Sequence, residues 1–98
     1  MATVASIDTT TQLSDLFGAL ADPTRMQMLL MMMDGEQRSG DFATGLDVTP
    51  SAVSHQLRWL RERNIIHSRK EGREVFCALA DDCIREIIEV ALRHIQEG

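Results

Sequence analysis

The sequence has little cysteine, no long apolar run and no basic residue before Arg25. Its two cysteines, Cys77 and Cys83, are too few for a disulfide framework and lack Cys-x-x-Cys spacing, so we expect a reducing compartment. The longest apolar run, residues 28–33, falls far short of the roughly 20 residues that span a bilayer. A signal peptide begins with a basic segment, and none is present. These absences predict a cytoplasmic protein without a membrane partner.

The length and composition predict one small globular domain. The chain has 98 residues, of which 44% are hydrophobic and 26% charged. This is too short for an enzyme with separate cofactor and substrate lobes, and no nucleophile, base and orienting residue form a recognisable set. We therefore expect no catalytic activity and no organic cofactor. Residues 1–9 are small and polar and predict a flexible arm, so the domain is assigned to residues 10–98.

The charge is unevenly distributed along the chain. A net charge of −5 argues against nucleic-acid binding, because binding requires a basic surface. Residues 51–73, however, hold six basic and two acidic side chains, a local charge of +4 that leaves −9 on the rest. Such a polarised field predicts one side that faces a polyanion, although a charge run is more often a solvated surface.

Apolar periodicity and capping residues predict four helices before this basic segment. The first covers about three turns around residues 13–20, and the second runs from Pro23 to about Met33. A short third helix covers residues 39–46, and a fourth opens at Pro50 and reaches Arg63. Two helices joined by a tight turn ahead of a basic cluster are typical of a helix-turn-helix.

The fourth helix has the two faces that a recognition helix needs. At 100° per residue, Val53, Leu57 and Leu60 share a buried face, and polar side chains lie opposite. These polar types suit base edges and phosphates, although a solvated helix face is the simpler interpretation of this stretch alone. The candidate DNA-binding residues of the helix are Ser51, Ser54, His55, Gln56 and Arg58.

A basic β-hairpin is predicted after the fourth helix. Residues 65–70 and 73–79 have strand character and flank Glu71-Gly72. A hairpin is marginally stable alone, so we expect it to pack on the helices. Its tip would then lie beside the DNA groove that the fourth helix enters, as a wing. Arg69, Lys70 and Arg73 crowd that tip and are candidate phosphate ligands.

The last helix is predicted from about Asp82 to Gln96. It carries a broad apolar stripe, as the first helix does, and both faces require a partner. We therefore expect a homodimer through the first and last helices, which a two-fold, pseudo-palindromic DNA operator would require. The predicted fold is mainly α with a small β-hairpin, a winged helix-turn-helix in the order α-α-α-α-β-β-α.

Three segments together resemble the ArsR/SmtB family. They are Ala-Leu-Ala-Asp-Pro-Thr-Arg at 19–25, Thr-Pro-Ser-Ala-Val-Ser-His-Gln-Leu-Arg-Trp-Leu at 49–60, and Arg-Lys-Glu-Gly-Arg at 69–73. The resemblance implies a winged helix-turn-helix dimer that represses transcription. It also implies that DNA is released on binding an effector, often a metal ion.

The resemblance also implies where a metal would bind. A cysteine site of the third helix is absent, because residues 36–42 contain no cysteine. A site of the last helix has the pattern Asp-x-His, ten residues, His-x-x-(Glu or His). This chain has Asp81-x-Cys83, ten residues, then His94-x-x-Glu97, with cysteine where histidine is usual.

The spacing requires two chains for such a site. Cys83 and His94 are separated by about 16 Å along a helix yet share one face. Antiparallel copies would bring Asp81 and Cys83 together with His94 and Glu97 of the partner subunit, an O, S, N, O tetrahedron. This donor set favours Zn(II), with Cd(II) and Co(II) also suitable, over Mg(II) or Ca(II). Taken singly, each residue also has an ordinary structural role as cap, buried thiol or helix-end side chain.

Two other functions stay open at this point. A thiol-redox or sulfide-sensing repressor would use Cys77 and Cys83, both of which would need exposure and a lowered pKa. A ligand-independent DNA-binding or scaffold dimer would need neither cysteine nor His94.

Overall fold

The structure is a computed structural model that describes residues 6–98, and it is a winged helix-turn-helix. It contains five helices and three strands: α1 (Ile7–Leu20), α2 (Pro23–Met31), β1 (Gln37–Arg38), α3 (Ser39–Leu46), α4 (Pro50–Glu62), β2 (Ile66–Glu71), β3 (Glu74–Leu79) and α5 (Asp82–Glu97). The predicted fold is confirmed with one addition, the short strand β1. It pairs antiparallel with β3 and gives a three-stranded sheet in the order β1-β3-β2.

Side-chain caps determine where most of the helices begin. Asp22, Thr49 and Asp81 each accept a hydrogen bond from the backbone N–H three residues later, at 3.0–3.1 Å. Ser6 does the same for α1, which therefore begins at Ile7 rather than after the predicted arm. Residues 7–9 of that arm are helical, and residues 1–5 lie outside the described residues.

The wing is a regular antiparallel hairpin. β2 and β3 pair from Ile66 opposite Leu79 to Glu71 opposite Glu74, which leaves a two-residue loop at the tip. Gly72 in this loop has a φ of 62°, a left-handed conformation that glycine adopts at no steric cost. The tight loop holds the basic tip at the end of the hairpin.

The core joins side chains of all five helices and of the hairpin. The inner face of α4 is buried as predicted, with Leu60 fully inaccessible. The largest side chains that are less than 2% exposed are Met28, Leu29, Met32, Phe42, Leu60, Ile65, Ile66 and Cys77. Recognition helix and wing therefore pack on one core and keep a fixed relative position. No helix within residues 6–98 combines the length and apolarity needed to cross a membrane.

Candidate DNA interface and metal-ligand face

The outer face of α4 is accessible. Ser51, Ser54, His55 and Arg58 are exposed, and Gln56 is half-buried. Proline at the first helical turn and the Thr49 cap fix the start of this helix, so its N-terminal side chains project from a defined end. The predicted base-reading residues are therefore presented on a rigid element.

Two of the three basic residues at the wing tip form no ion pair within the described part of the chain. Lys70 and Arg73 are exposed, and no carboxylate of residues 6–98 lies within 4.0 Å of either one. Their charges are therefore available for phosphates beside the groove.

Arg69, the third basic residue of the wing, is already paired within the chain. Its Nε and Nη2 donate to the two carboxylate oxygens of Glu36 at 2.8 and 2.9 Å, and its Nη1 donates to Glu71 at 2.6 Å. Its guanidinium also lies over the Phe76 ring, 4.5 Å from the ring centre. The hydrogen bond from Arg69 holds the pKa of Glu36 below its ordinary value, and the two carboxylates raise the pKa of Arg69. This pairing was not predicted, because Glu36 is 33 residues away in sequence.

The predicted metal ligands lie along α5. Asp81 caps the helix through Oδ1, which accepts from the Ile84 N–H at 3.0 Å. Cys83, His94 and Glu97 are exposed. Within residues 6–98 no three His, Cys, Asp or Glu side chains gather closely enough to hold an ion. A single chain thus offers the four donors without assembling them.

Cys83 and His94 border the same cavity, of about 670 Å³, on the outer side of α5. Phe17 of α1 and Ile87 and Val90 of α5 also line it. Phe17 and Val90 are 56% and 53% exposed, and Leu13 and Ile95 extend the apolar surface along the two helices at 51% and 73%. An apolar face of this kind on a small domain marks an interaction surface.

The two thiols differ in accessibility. Cys77 is fully buried in β3, with its sulfur 3.5 Å from the Ser68 hydroxyl, whereas Cys83 is exposed. A thiol switch that uses both cysteines would require Cys77 to become accessible first. The burial of Cys77 therefore counts against that function.

Comparisons with known proteins agree with this geometry. The profile of the family described as "Bacterial regulatory protein, arsR family" matches residues 22–68, which run from the cap of α2 into β2. The chain is 37% identical to a transcriptional repressor SmtB homolog of Synechocystis, over 97% of this chain and 72% of that protein. It is 35% identical to the transcriptional activator HlyU of Vibrio cholerae, over 80% of this chain and 72% of that protein.

A solved structure of HlyU from Vibrio cholerae has the same fold. It matches with a TM-score of 0.83 and 29% identity, over 95% of this chain and all of that chain. One of these relatives is named a repressor and the other an activator. The likeness therefore identifies a DNA-binding regulator of transcription rather than an enzyme, and it is shared by repressors and activators alike.

Proposed function

Because this chain belongs to the ArsR family of DNA-binding bacterial regulators, we propose that it is a homodimeric repressor that releases its operator when a transition-metal ion binds to α5. The observation that carries the proposal is the position of Cys83 and His94. Both side chains border one cavity on the apolar face of α5, and the helix holds them too far apart to share an ion within one chain.

The apolar face of α1 and α5 supports the dimer. Phe17 and Val90 are more than half exposed in the single chain, and burying them against a second copy would remove their apolar surface from water. A closed two-fold arrangement would bury the same patch on both subunits. It would also place two α4 helices to read half-sites about 34–36 Å apart in a pseudo-palindromic operator.

The free side chains of α4 and the wing support the DNA contacts. We expect Ser54, His55 and Gln56 to read base edges and Arg58 to reach a base or a phosphate. Lys70 and Arg73 would bind backbone phosphates beside the DNA groove that α4 enters. Arg69 would join them only by giving up its pairs with Glu36 and Glu71.

The donor set of α5 fits a transition metal. Antiparallel pairing of two α5 helices would bring Asp81 and Cys83 of one subunit near His94 and Glu97 of the partner subunit. Asp81 keeps Oδ2 free of the cap hydrogen bond, so it can cap the helix and still offer an oxygen. One thiolate, one imidazole and two carboxylates suit Zn(II), Cd(II) and Co(II). Such an ion would cross-link the two α5 helices.

Contacts of α5 with the sheet provide a route from the ion to the DNA. Ile84 and Ile88 lie in the core, and α5 packs on β3, the strand that pairs with β2 of the wing. An ion that favours another arrangement of the α5 pair would therefore move the wing and recognition helix of one subunit together, relative to those of the partner subunit. By reciprocity, DNA would weaken metal binding by the factor by which metal weakens DNA binding.

Titration of Zn(II), then Cd(II), into the reduced protein tests the proposal, with the anisotropy of a labelled palindromic operator as readout. We expect one ion per chain and a loss of DNA affinity of about 5- to 150-fold. His94→Ala should abolish the response. The matched control is His67→Ala, since His67 is also exposed but lies on β2. Absence of metal binding, or a full response in His94→Ala, would refute the metal switch.

Oxidation of the same protein with diamide, together with cysteine and histidine variants, distinguishes the two competing functions. Diamide treatment of the metal-free protein should leave operator binding unchanged, because Cys77 is buried. Release by diamide that Cys77→Ser prevents would instead establish a thiol switch. Operator binding unaffected by metal, diamide, Cys83→Ser and His94→Ala would establish a ligand-independent regulator.

A further inference from the structure

A second cleft, of about 530 Å³, lies between α1 and the C-terminal end of α4. It shares no lining residue with the cavity beside Cys83 and His94. Leu16, Ala19 and Ile65 give it an apolar lining, and Ala19 and Ile65 are almost fully buried. Its volume is in the range of small-molecule sites, roughly 300–1,000 Å³.

Two arginines enclose Trp59 on one side of this cleft. The guanidinium carbon of Arg63 lies 3.5 Å from the centre of the Trp59 ring, and that of Arg25 lies 4.0 Å from it. Two groups this close to one ring centre would overlap on the same face, so they occupy opposite faces. Each contact is favourable by itself, yet the arrangement fixes two positive charges beside one cleft.

Neither guanidinium group has an anionic partner among residues 6–98. Arg25 donates Nε to the Ala19 carbonyl at 3.0 Å, and Arg63 donates Nη1 to the Trp59 carbonyl at 3.2 Å. No carboxylate within residues 6–98 comes within 4.0 Å of either group, including Asp15, which also lines the cleft. Most of the N–H donors of the two groups therefore remain available to a ligand.

We propose that this cleft binds a small organic anion. Its carboxylate or phosphate group would accept hydrogen bonds from Arg63, the positive charge of Arg25 on the other face of Trp59 would add to the attraction, and its apolar part would cover Leu16, Ala19 and Ile65. The occupant would touch both α1 of the proposed dimer face and the end of the recognition helix. Its binding therefore alters operator affinity, a consequence that rests on the proposed DNA-binding dimer.

Trp59 reports on this cleft directly, because the chain has one tryptophan and no tyrosine. The probes are cyclohexanecarboxylate and inorganic phosphate at constant ionic strength, with neutral cyclohexanecarboxamide as control. We expect a saturable change in Trp59 fluorescence with an anion and none with the amide.

Arg63→Gln should weaken anion binding about tenfold or more, because it removes a charge-assisted hydrogen bond. Arg93→Gln is the matched control, since Arg93 is exposed on α5 and lines neither cavity. No saturable response to either anion, or equal binding by Arg63→Gln and wild type, overturns the proposal. These titrations use neither DNA nor metal, so their failure leaves the metal switch standing.

Two DNA measurements complete the test. The bound anion should change operator affinity in the wild type and not in Arg63→Gln, and an unchanged affinity overturns the coupling. A backbone phosphate of the operator is the other source of an anion for this cleft. If the operator fills the cleft, Arg63→Gln will lower the salt dependence of DNA binding by about 0.9 per subunit, and a small-molecule site is then refuted.

Discussion

The three basic residues of the wing should contribute unequally to DNA binding. Arg73 is exposed and unpaired among the described residues, so we expect it to hold a phosphate. Arg69 is neutralised by a two-point pair with Glu36 and a further pair with Glu71. A phosphate contact by Arg69 would have to replace carboxylate contacts of similar strength. Replacing each arginine by alanine therefore compares how much a free cation and a paired cation contribute to DNA binding.

The size of the effect follows from counterion release. Each phosphate neutralised on B-DNA contributes about −0.9 to the slope of log K against log salt concentration. Arg73→Ala, which changes both wings of the proposed dimer, should therefore flatten the slope by about 1.8. Arg69→Ala should leave it nearly unchanged. Glu36→Gln removes one carboxylate from Arg69 and should steepen the slope, by up to about 0.9 per subunit.

Fluorescence anisotropy with an operator duplex and a scrambled duplex, over a range of salt concentrations, measures these slopes. Arg73→Ala should weaken binding to both duplexes to a similar degree, because phosphate contacts are independent of sequence. An unchanged slope in Arg73→Ala would remove the wing from the interface. An equal flattening in Arg69→Ala would show that its carboxylate pairs do not persist on DNA.

Three further predictions concern the folded chain itself. Phe42→Ala should lower the free energy of unfolding by about 3–5 kcal/mol in urea denaturation, because Phe42 is fully buried, and a loss under about 1 kcal/mol would contradict the packing. Thr49→Ala should cost about 1 kcal/mol by the same measurement, because its hydroxyl caps α4 at the Ala52 N–H, and Thr49→Ser should recover most of it. The lowered pKa of Glu36 means that its pair with Arg69 stabilises the fold above the ordinary carboxyl pKa of 4.5 and is lost as the pH falls through the lower folded value. An NMR titration midpoint of Glu36 at or above 4.5 in the wild type, or one that Arg69→Ala does not raise, would rule out this pairing.

The sequence predicted those elements that local chemistry determines. Pro23 and Pro50 mark the first turns of α2 and α4 with acceptor caps before them, and both helices begin there. Strand β1 was missed, because two residues have no alternation to detect, and only pairing with β3 makes them a strand. The start of α1 was missed because Ser6 was read as part of a polar arm, although it caps the helix.

The candidate site was predicted less completely, because sequence gives charges but not their partners. The exposed outer face of α4 follows from helical periodicity alone. The pairing of Arg69 with Glu36 reaches across β3, which lies between β2 and β1 in the sheet, and no local pattern encodes that strand order. The sequence predicted no role for Trp59, since its contact with Arg25 joins residues 34 positions apart that only the tertiary fold brings together.

The scarcity of ion pairs among the basic residues of 51–73 explains how an acidic chain can present a basic surface. Of the basic side chains in residues 51–73, only Arg69 has a carboxylate of residues 6–98 within 4.0 Å. Arg61 donates a hydrogen bond to the Ser68 hydroxyl, which is neutral, so the positive charge of Arg61 is not compensated by this contact. The excess of acidic side chains lies outside this segment of the sequence, since the rest of the chain carries a net charge of −9. Net charge is therefore a poor guide to this protein's partner. The field that DNA meets is set by the few cations that the fold leaves without a carboxylate.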